Sequence, residues 1–301
     1  MPLTLHILGS GAGGGVPQWN CRCPICERAR AGDPMVKART QSSIAVTLDG
    51  ARYLLINASP DIRQQMALLP ALHPREGLRH TPLAAALVTN ADVDHIAGLL
   101  SLRESEPFAL YASAETQDAL AQNGVFDVVN PTLVPRRTVA LDVPVEPLPG
   151  LSVTLFAVPG KVALWQERGE PVVGETTGTT VGVLLKGEGR RIAYVPGCAE
   201  VTDAVRERLA GGDVLLFDGT VYEDDDMIRA GVGTKTGRRM GHVPMTGPEG
   251  SVARLTGTPL GRRIFVHINN TNPVLVEDSL ENEAVRAAGW ELAHDGMEIT
   301  P

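Results

Sequence analysis

The sequence predicts an α/β fold of layered sheets flanked by helices. Three observations predict it: short apolar runs of strand length recur along the chain, stretches of helical character separate several of them, and polar clusters stand at the strand ends. One domain spanning residues 1–301 is expected, because the motifs described below begin near residue 5 and continue to residue 273.

Leu3 to Leu8 is apolar and runs into Gly9-Ser10-Gly11-Ala12-Gly13-Gly14-Gly15. Such a turn holds positive φ or admits a ligand close to the backbone. Ser43 to Leu48 and Arg52 to Asn57 read as two strands around the turn Asp49-Gly50. Asp61 to Leu69 suits a short helix opened by Ser59-Pro60. Leu83 to Val88 is a continuous apolar run, the mark of a buried strand, and Ile96 to Leu102 after it looks helical. From Phe108 to Leu155 short apolar runs alternate with Pro and Gly. Val181 to Leu185 and Ile192 to Val195 form a hairpin across Gly187-Glu188-Gly189. Val214 to Phe217 and Ile264 to His267 are further strands; Val201 to Leu209, Gly250 to Leu255 and Ser279 to Ala288 are helices. The run Glu223-Asp224-Asp225-Asp226 reads as a solvated loop.

Composition narrows the function. With 301 residues, 43% of them hydrophobic, the chain is long enough for a large core. No stretch of about 18 apolar residues is present, so no membrane span is expected. The first residues read as a strand rather than a signal peptide, and a cytoplasmic location follows. A net charge of -8 without a basic run argues against a nucleic-acid partner.

Two constellations carry chemistry. Cys21-Arg22-Cys23-Pro24-Ile25-Cys26 puts three thiols on one short turn, a spacing that suits structural zinc with a fourth ligand from elsewhere. Redox chemistry is the competing reading, and it leaves the third cysteine unexplained. Cys198 stands far from this cluster and reads as core. The second constellation is Asp92-Val93-Asp94-His95 at the end of one apolar strand, with His267 ending another and leading into Ile268-Asn269-Asn270-Thr271-Asn272-Pro273. A lone histidine is usually a hydrogen-bonded structural residue, and Asp94-His95 alone equally suits a helix cap. The pairing of the two segments makes the site candidate. His6, His73, His80 and His294 have no companion signal and read as structural or surface residues.

Thr89-Asn90-Ala91-Asp92-Val93-Asp94-His95-Ile96-Ala97-Gly98-Leu99 resembles the metallo-β-lactamase signature T-H-x-H-x-D-H-x-x-G-L. Gly9-Ser10-Gly11 followed by the cysteine cluster resembles the branch containing the phosphonate-breakdown phosphodiesterase and the tRNA 3′-processing nucleases. Gly13 to Cys21 and His267 to Pro273 are similar to the more particular signature of the PqqB family of pyrroloquinoline quinone biosynthesis. The resemblance implies a metallo-β-lactamase-like αβ/βα four-layer sandwich, two mixed sheets flanked by helices, with a metal site at one edge.

The departures from the superfamily pattern bear on the chemistry. Asn90 and Asp92 replace two signature histidines that hold the first metal. Val158-Pro159-Gly160-Lys161 lacks a third, and Val195-Pro196-Gly197-Cys198-Ala199 lacks the bridging aspartate. Asp94, His95 and His267 remain for the second position. Two histidines and one carboxylate with open positions are the donor set of non-haem Fe(II) oxygenases. The resemblance therefore implies Fe(2+), replaceable by zinc or another divalent metal, and O2-dependent hydroxylation of a tyrosine in a small Glu-Tyr peptide or dipeptide-like intermediate. Other quinone-biosynthesis proteins are the implied partners. The rival readings are a metal-dependent, phosphodiesterase-like hydrolase and a non-catalytic carrier for quinone transport out of the cell.

Residue roles follow from the same resemblance. Asp92 is a fourth or transient ligand, or orients one; Asn90 and Asn269 line the substrate-binding wall. His242 matches a catalytic histidine of the nuclease branch and suits a general base toward a phenol, with a structural loop histidine as the alternative. Asp218 orients it. Either the Asn270 amide oxygen completes the structural zinc site or the fourth ligand lies elsewhere; Asn270 is preferred.

Overall fold

The computed structural model describes residues 2–301. The first sheet takes β1 (Thr4–Gly9), β2 (Ser43–Thr47), β3 (Tyr53–Ile56), β4 (Leu83–Leu87), β5 (Ala109–Ala112) and β6 (Arg136–Thr138). The second takes β7 (Val145–Leu148), β8 (Leu151–Gly160), β9 (Glu175–Gly187), β10 (Arg190–Val195), β11 (Gly212–Asp218), β12 (Leu260–Val266) and β13 (Glu291–Leu292). The chain then returns to the first sheet, where β14 (Glu298–Ile299) pairs antiparallel with β1. Strand order is β14-β1-β2-β3-β4-β5-β6 in one sheet and β13-β12-β11-β10-β9-β8-β7 in the other. Each sheet is mixed: β1-β2-β3 and β7 to β10 are antiparallel, whereas β3 to β6 and β10 to β13 are parallel.

Alternation along the strands explains the layers. In β11, Val214 and Leu216 face the gap between the sheets, while Leu215 and Phe217 face outward under helices. Ile192 and Tyr194 in β10, and Ile264 and Val266 in β12, turn inward in the same way. The two-residue repeat of a strand makes this possible, and burial on both faces makes the sequence read as an unbroken apolar run. The outer face of the first sheet packs Leu55, Ala86 and Leu110 against helix residues such as Ile62, Ile96 and Leu120. Two sheets, an inter-sheet core and two helix-covered outer cores make the αβ/βα four-layer sandwich.

The helices are α1 (Pro24–Arg30), α2 (Ile62–Leu68), α3 (Val93–Ile96), α4 (Ala114–Ala121), α5 (Asp203–Leu209), α6 (Asp226–Arg229), α7 (Gly237–Met240), α8 (Ser251–Leu255) and α9 (Leu280–Ala287). Five differ from expectation, and of these α1 and α7 are short helices that the sequence reading did not name. The helix expected from Ile96 starts at Val93, so Asp94 and His95 lie within its first turn, and Ala97–Leu102 continues as a 3-10 helix. Helix α4 went unpredicted, although Ser113 caps it by accepting from the Thr116 N–H at 3.2 Å. The acidic run is not wholly solvated: Asp226 is buried, opens α6 and accepts from the Tyr222 N–H at 2.7 Å. Burial raises its carboxyl to about 6.

Two packing features position the site. The Ala58 N–H donates to His95 O at 2.8 Å and the Gly98 N–H donates to Ala58 O at 2.9 Å, fastening α3 to the chain after β3. A Cβ at residue 98 would sit 2.2 Å from Ser59 O. Gly98→Ala is therefore expected to push α3 outward and cost roughly 1–3 kcal/mol of stability. Urea denaturation checks this, and an unchanged midpoint would show that the contact yields freely.

The second feature is a partly buried polar clamp. Asp295 accepts from Ser10 N (2.9 Å), Ser10 Oγ (2.8 Å), Thr40 N (2.6 Å) and Thr40 Oγ1 (2.7 Å). Arg39 donates to Ser10 Oγ at 3.1 Å and to Ala293 O. Ser10 O in turn accepts from the Ile268 N–H at 3.0 Å, beside His267. The glycine-rich turn is thus held between the segment before β14 and the segment after β12.

Candidate metal centre and its cleft

Three strand ends and one helix meet here. β4 delivers Asn90 and Asp92 and leads into α3 with Asp94 and His95; β11 ends at Asp218; β12 ends one residue before His267. His267 has φ 56°, the left-handed region that costs a side chain-bearing residue roughly 1–2 kcal/mol. Such strain clusters at functional sites.

Asp94 Oδ2 lies 3.1 Å from His267 Nε2 and 3.8 Å from His95 Nε2. One donor atom from each of the three falls within 4.8 Å of the others. The His95 Nδ1–H donates to Asn90 Oδ1 at 2.7 Å, which leaves Nε2 as the free nitrogen; that atom is buried and has no hydrogen-bond partner among the described residues. A buried nitrogen without a partner, aimed at a carboxylate and a second imidazole, fits a metal ion. Burial drives His95 down to about 4, so the imidazole is neutral, the ligating form. Burial opposes ionisation of Asp94, but His95 and His267 outweigh it and hold the carboxyl well below its ordinary value. His267 is raised, because its hydrogen bond to Asp94 and the nearby carboxylates overcome burial.

Thr220 governs the other side. Its Oγ1 lies 2.7 Å from Asp218 Oδ1, 2.8 Å from His267 Nδ1, 3.0 Å from His242 Nδ1 and 3.0 Å from His267 O. A hydroxyl has one proton to donate. Donating it to the Asp218 carboxylate leaves the oxygen to accept the His267 Nδ1–H, so Nε2 holds a proton toward Asp94 when no metal is bound and would give it up to ligate a metal ion. His242 Nδ1 lies 2.7 Å from Asp218 Oδ2, and its ring stacks on His267 at 5.1 Å between centroids. Asp218, His242 and His267 form a second cluster whose donor atoms lie within 4.8 Å.

A cleft of about 310 Å³ opens over these groups, lined among others by Asn90, Asp92, His242, Asn269 and Lys161. A Cβ at Gly13 would stand 3.4 Å from Asp94 Oδ2, so the glycine-rich turn does approach the site closely. Asn269 lines the cleft with its amide nitrogen donated to Thr271 Oγ1 at 2.8 Å.

Two expected roles gain detail. Asn90 borders the cleft, but its oxygen is committed to His95 Nδ1 and the Asp92 N–H at 3.0 Å, so it orients a ligand rather than serving only as wall. Asp92 lies outside the three-residue donor clusters; its Oδ1 accepts from the Leu164 N–H at 3.1 Å. Burial, then repulsion from Asp94, raises its carboxyl. Thr220, Lys161 and Arg239 were missed. The Asp218-Gly219-Thr220 step offered a signal for the first: a Cβ at Gly219 would stand 2.9 Å from Phe265 Cβ, so the chain there is packed hard against β12.

The thiols of Cys21, Cys23 and Cys26 converge within 4.8 Å in a buried pocket. The side-chain amide of Asn270 faces all three, with Nδ2 at 3.2, 3.8 and 3.3 Å. An amide turned by half a rotation presents Oδ1 at the same place. Burial pushes Cys23 up to about 12, while hydrogen bonds around Cys21 outweigh its burial and hold it below its ordinary value. Three crowded thiols ionise together only beside a cation, and the set fits tetrahedral zinc with Asn270 as the fourth donor. Cys198 is buried away from this set, its N–H donating to Asp218 Oδ2 at 2.9 Å. Among the described residues, no helix is long and apolar enough to cross a membrane.

Comparison with known proteins places this geometry in context. A β-lactamase superfamily domain matches residues 52–268. Coenzyme PQQ synthesis protein B of Methylobacterium sp. (strain 4-46) is 67% identical over 294 residues, 98% of each chain. The crystal structure of Zn(2+)-bound PqqB from Methylobacterium extorquens superposes with a TM-score of 0.97 at 61% identity, covering 98% of this chain and 99% of that one. A diphosphatase from the PhnP family, 25% identical, superposes with a TM-score of 0.68 over 99% of this chain and 97% of its own.

Proposed function

The chain belongs to the coenzyme PQQ synthesis protein B family of the β-lactamase superfamily, and on that premise we propose that it serves pyrroloquinoline quinone biosynthesis as an iron-dependent, O2-using hydroxylase of a tyrosine in a small Glu-Tyr peptide. One observation carries the reading. Asn90 and Asp92, which stand where the superfamily signature has metal-binding histidines, are committed to His95 and Leu164, whereas Asp94, His95 and His267 turn their donors to one point. Two imidazoles and a carboxylate are the facial set of non-haem iron oxygenases.

Bound by those three residues, ferrous iron would supply O2 activation. Each hydroxylation replaces a ring C–H by C–OH; the second oxygen atom leaves as water with two electrons from an external reductant. The residues do the rest. Asp218 accepts the His242 Nδ1–H, which leaves Nε2 to take the phenolic proton, and the carboxylate then stabilises the imidazolium. Asn90 and Thr220 lock the two ligand imidazoles in the tautomer that presents Nε2. The cleft suits one small ligand.

A metal-dependent hydrolase is the second reading. The Asp218, His242 and His267 cluster favours it, because a second ion there would resemble a two-metal hydrolytic site; the likeness to a diphosphatase points the same way.

Zinc takes such donors more tightly than ferrous iron, so isolated protein is expected to need metal exchange before assay. Iron-loaded protein with a glutamyl-tyrosine peptide and ascorbate should consume O2 in step with a +16 Da catechol product, and zinc-loaded protein should not. Cleavage of bis(p-nitrophenyl) phosphate without O2 uptake would overturn this in favour of hydrolysis. Tight quinone binding with neither reaction would leave a carrier.

A further inference from the structure

The cleft has a basic wall that neither metal binding nor proton transfer uses. Lys161 follows β8 and lines the cleft with a side chain only 9% exposed. Its Nζ donates to Glu167 Oε1 at 2.9 Å and Val162 O at 3.1 Å, so one of three ammonium protons is left over. Glu167 is equally buried, and its other oxygen accepts from Arg239 Nη2 at 3.2 Å. One carboxylate therefore serves two cations.

Arg239 is under-used as well. Its Nε lies 3.6 Å from Glu170, which is 94% exposed, and its Nη1 is buried with no hydrogen-bond partner among the described residues. A buried donor without an acceptor is costly, and more so when charged. Lys235 adds a third cation to the lining. Of the lining carboxylates, Asp94 is held by the histidines, while Asp92 accepts from the Leu164 N–H through Oδ1 and lies within electrostatic reach of Lys161. Position 241 fixes where the lysine runs. Gly241 has φ 89°, and a Cβ there would stand 3.3 Å from Lys161 Cγ, so the lysine stem lies against the residue before His242. Lys161 and Arg239 thus border the cleft that holds the proton-transfer histidine.

We propose that Lys161 and Arg239 bind a carboxylate of the substrate remote from the ring that reacts. This deepens the hydroxylase reading and rests on it. Arg and Lys donors pair with carboxylates through short charge-assisted bonds, and a planar guanidinium accepts them in a defined orientation.

Anaerobic calorimetric titration of the zinc-loaded protein tests the wall without turnover. Glutamyl-tyrosine is compared with glutaminyl-tyrosine amide, in which both carboxylates are amides. The wild type should bind the acidic peptide at least about tenfold more tightly. Lys161→Met and Arg239→Gln should each remove most of that preference while holding the amide's Kd within about twofold. Melting temperature and metal content confirm folding, and the two variants back each other up. Equal affinity for the two peptides in the wild type, or equal loss of both in the variants, overturns the proposal. Inorganic diphosphate is the second probe: wall-dependent binding of diphosphate tighter than of the acidic peptide would assign the wall to phosphate and overturn the carboxylate. Acidic preference without O2 uptake keeps the wall and sinks hydroxylation; uptake without preference does the reverse.

Discussion

Replacing His267 by Ala is expected to remove the ion held by Asp94 and His95, leave the ion held by the cysteines, and abolish O2-dependent turnover. The histidine supplies Nε2 and also holds Asp94 Oδ2 at 3.1 Å, so its loss removes one donor and frees another. The fall in affinity should exceed the 10–100-fold typical of losing an outer hydrogen-bond partner. The substitution is clean on the backbone side: Ala at φ 56° bears the same Cβ strain as His, so the imidazole alone is lost. Metal content by mass spectrometry, with O2 uptake beside it, reads the result. Retention of both ions, or departure of both, would show that the ligand set has been misassigned.

Cys26→Ser should have the largest effect on stability. Cys26 has no exposed surface and packs in the outer core with Ile25, Val36 and Leu275. Serine loses the thiolate that zinc favours and sets a hydroxyl in a site shaped for sulfur, where it meets the Gln18 N–H that lies 3.4 Å from Sγ. A structural ion contributes folding free energy directly. A drop in Tm of about 5–10 °C corresponds to a few kcal/mol, at roughly 2–4 °C per kcal/mol for a large domain. Asn270 faces this cluster three residues beyond His267, so the variant should also weaken the active-site ion. Calorimetry with metal quantification decides it; an unchanged Tm in a protein that keeps its full metal content would remove the structural role.

Strands buried on both faces were legible because such burial writes apolar runs such as Leu83 to Val88 into the chain, whereas short edge strands such as β6, β13 and β14 carry no such run and were not named. Helix α4 was not, since its buried face mixes Thr116 and Gln117 with Ala119 and Leu120 and shows no clear apolar stripe. The donors Asp94, His95 and His267 stood out at strand ends, and the structure gathers them. The duties of Asn90 and Asp92 depend on which way a short side chain turns, which spacing does not record. Lys161, Thr220 and Arg239 come from three separate segments and meet only through sheet topology; each alone looks like an ordinary loop residue. Asp226 misled for a related reason: in a run of four acids, the one that turns inward is chosen by the Tyr222 N–H it accepts.

Asp295 gives the fold a consequence in time. Its carboxylate grips Ser10 and Thr40, and the neighbouring Gly296 N–H and Met297 O close on Ile7. On a translating ribosome the glycine turn can bond early to Arg39, Thr40 and Gln41, but its grip by Asp295 must wait until that residue has emerged. Nascent chains are therefore expected to fasten the turn over the pocket only once Asp295 has emerged, well after β1 to β11.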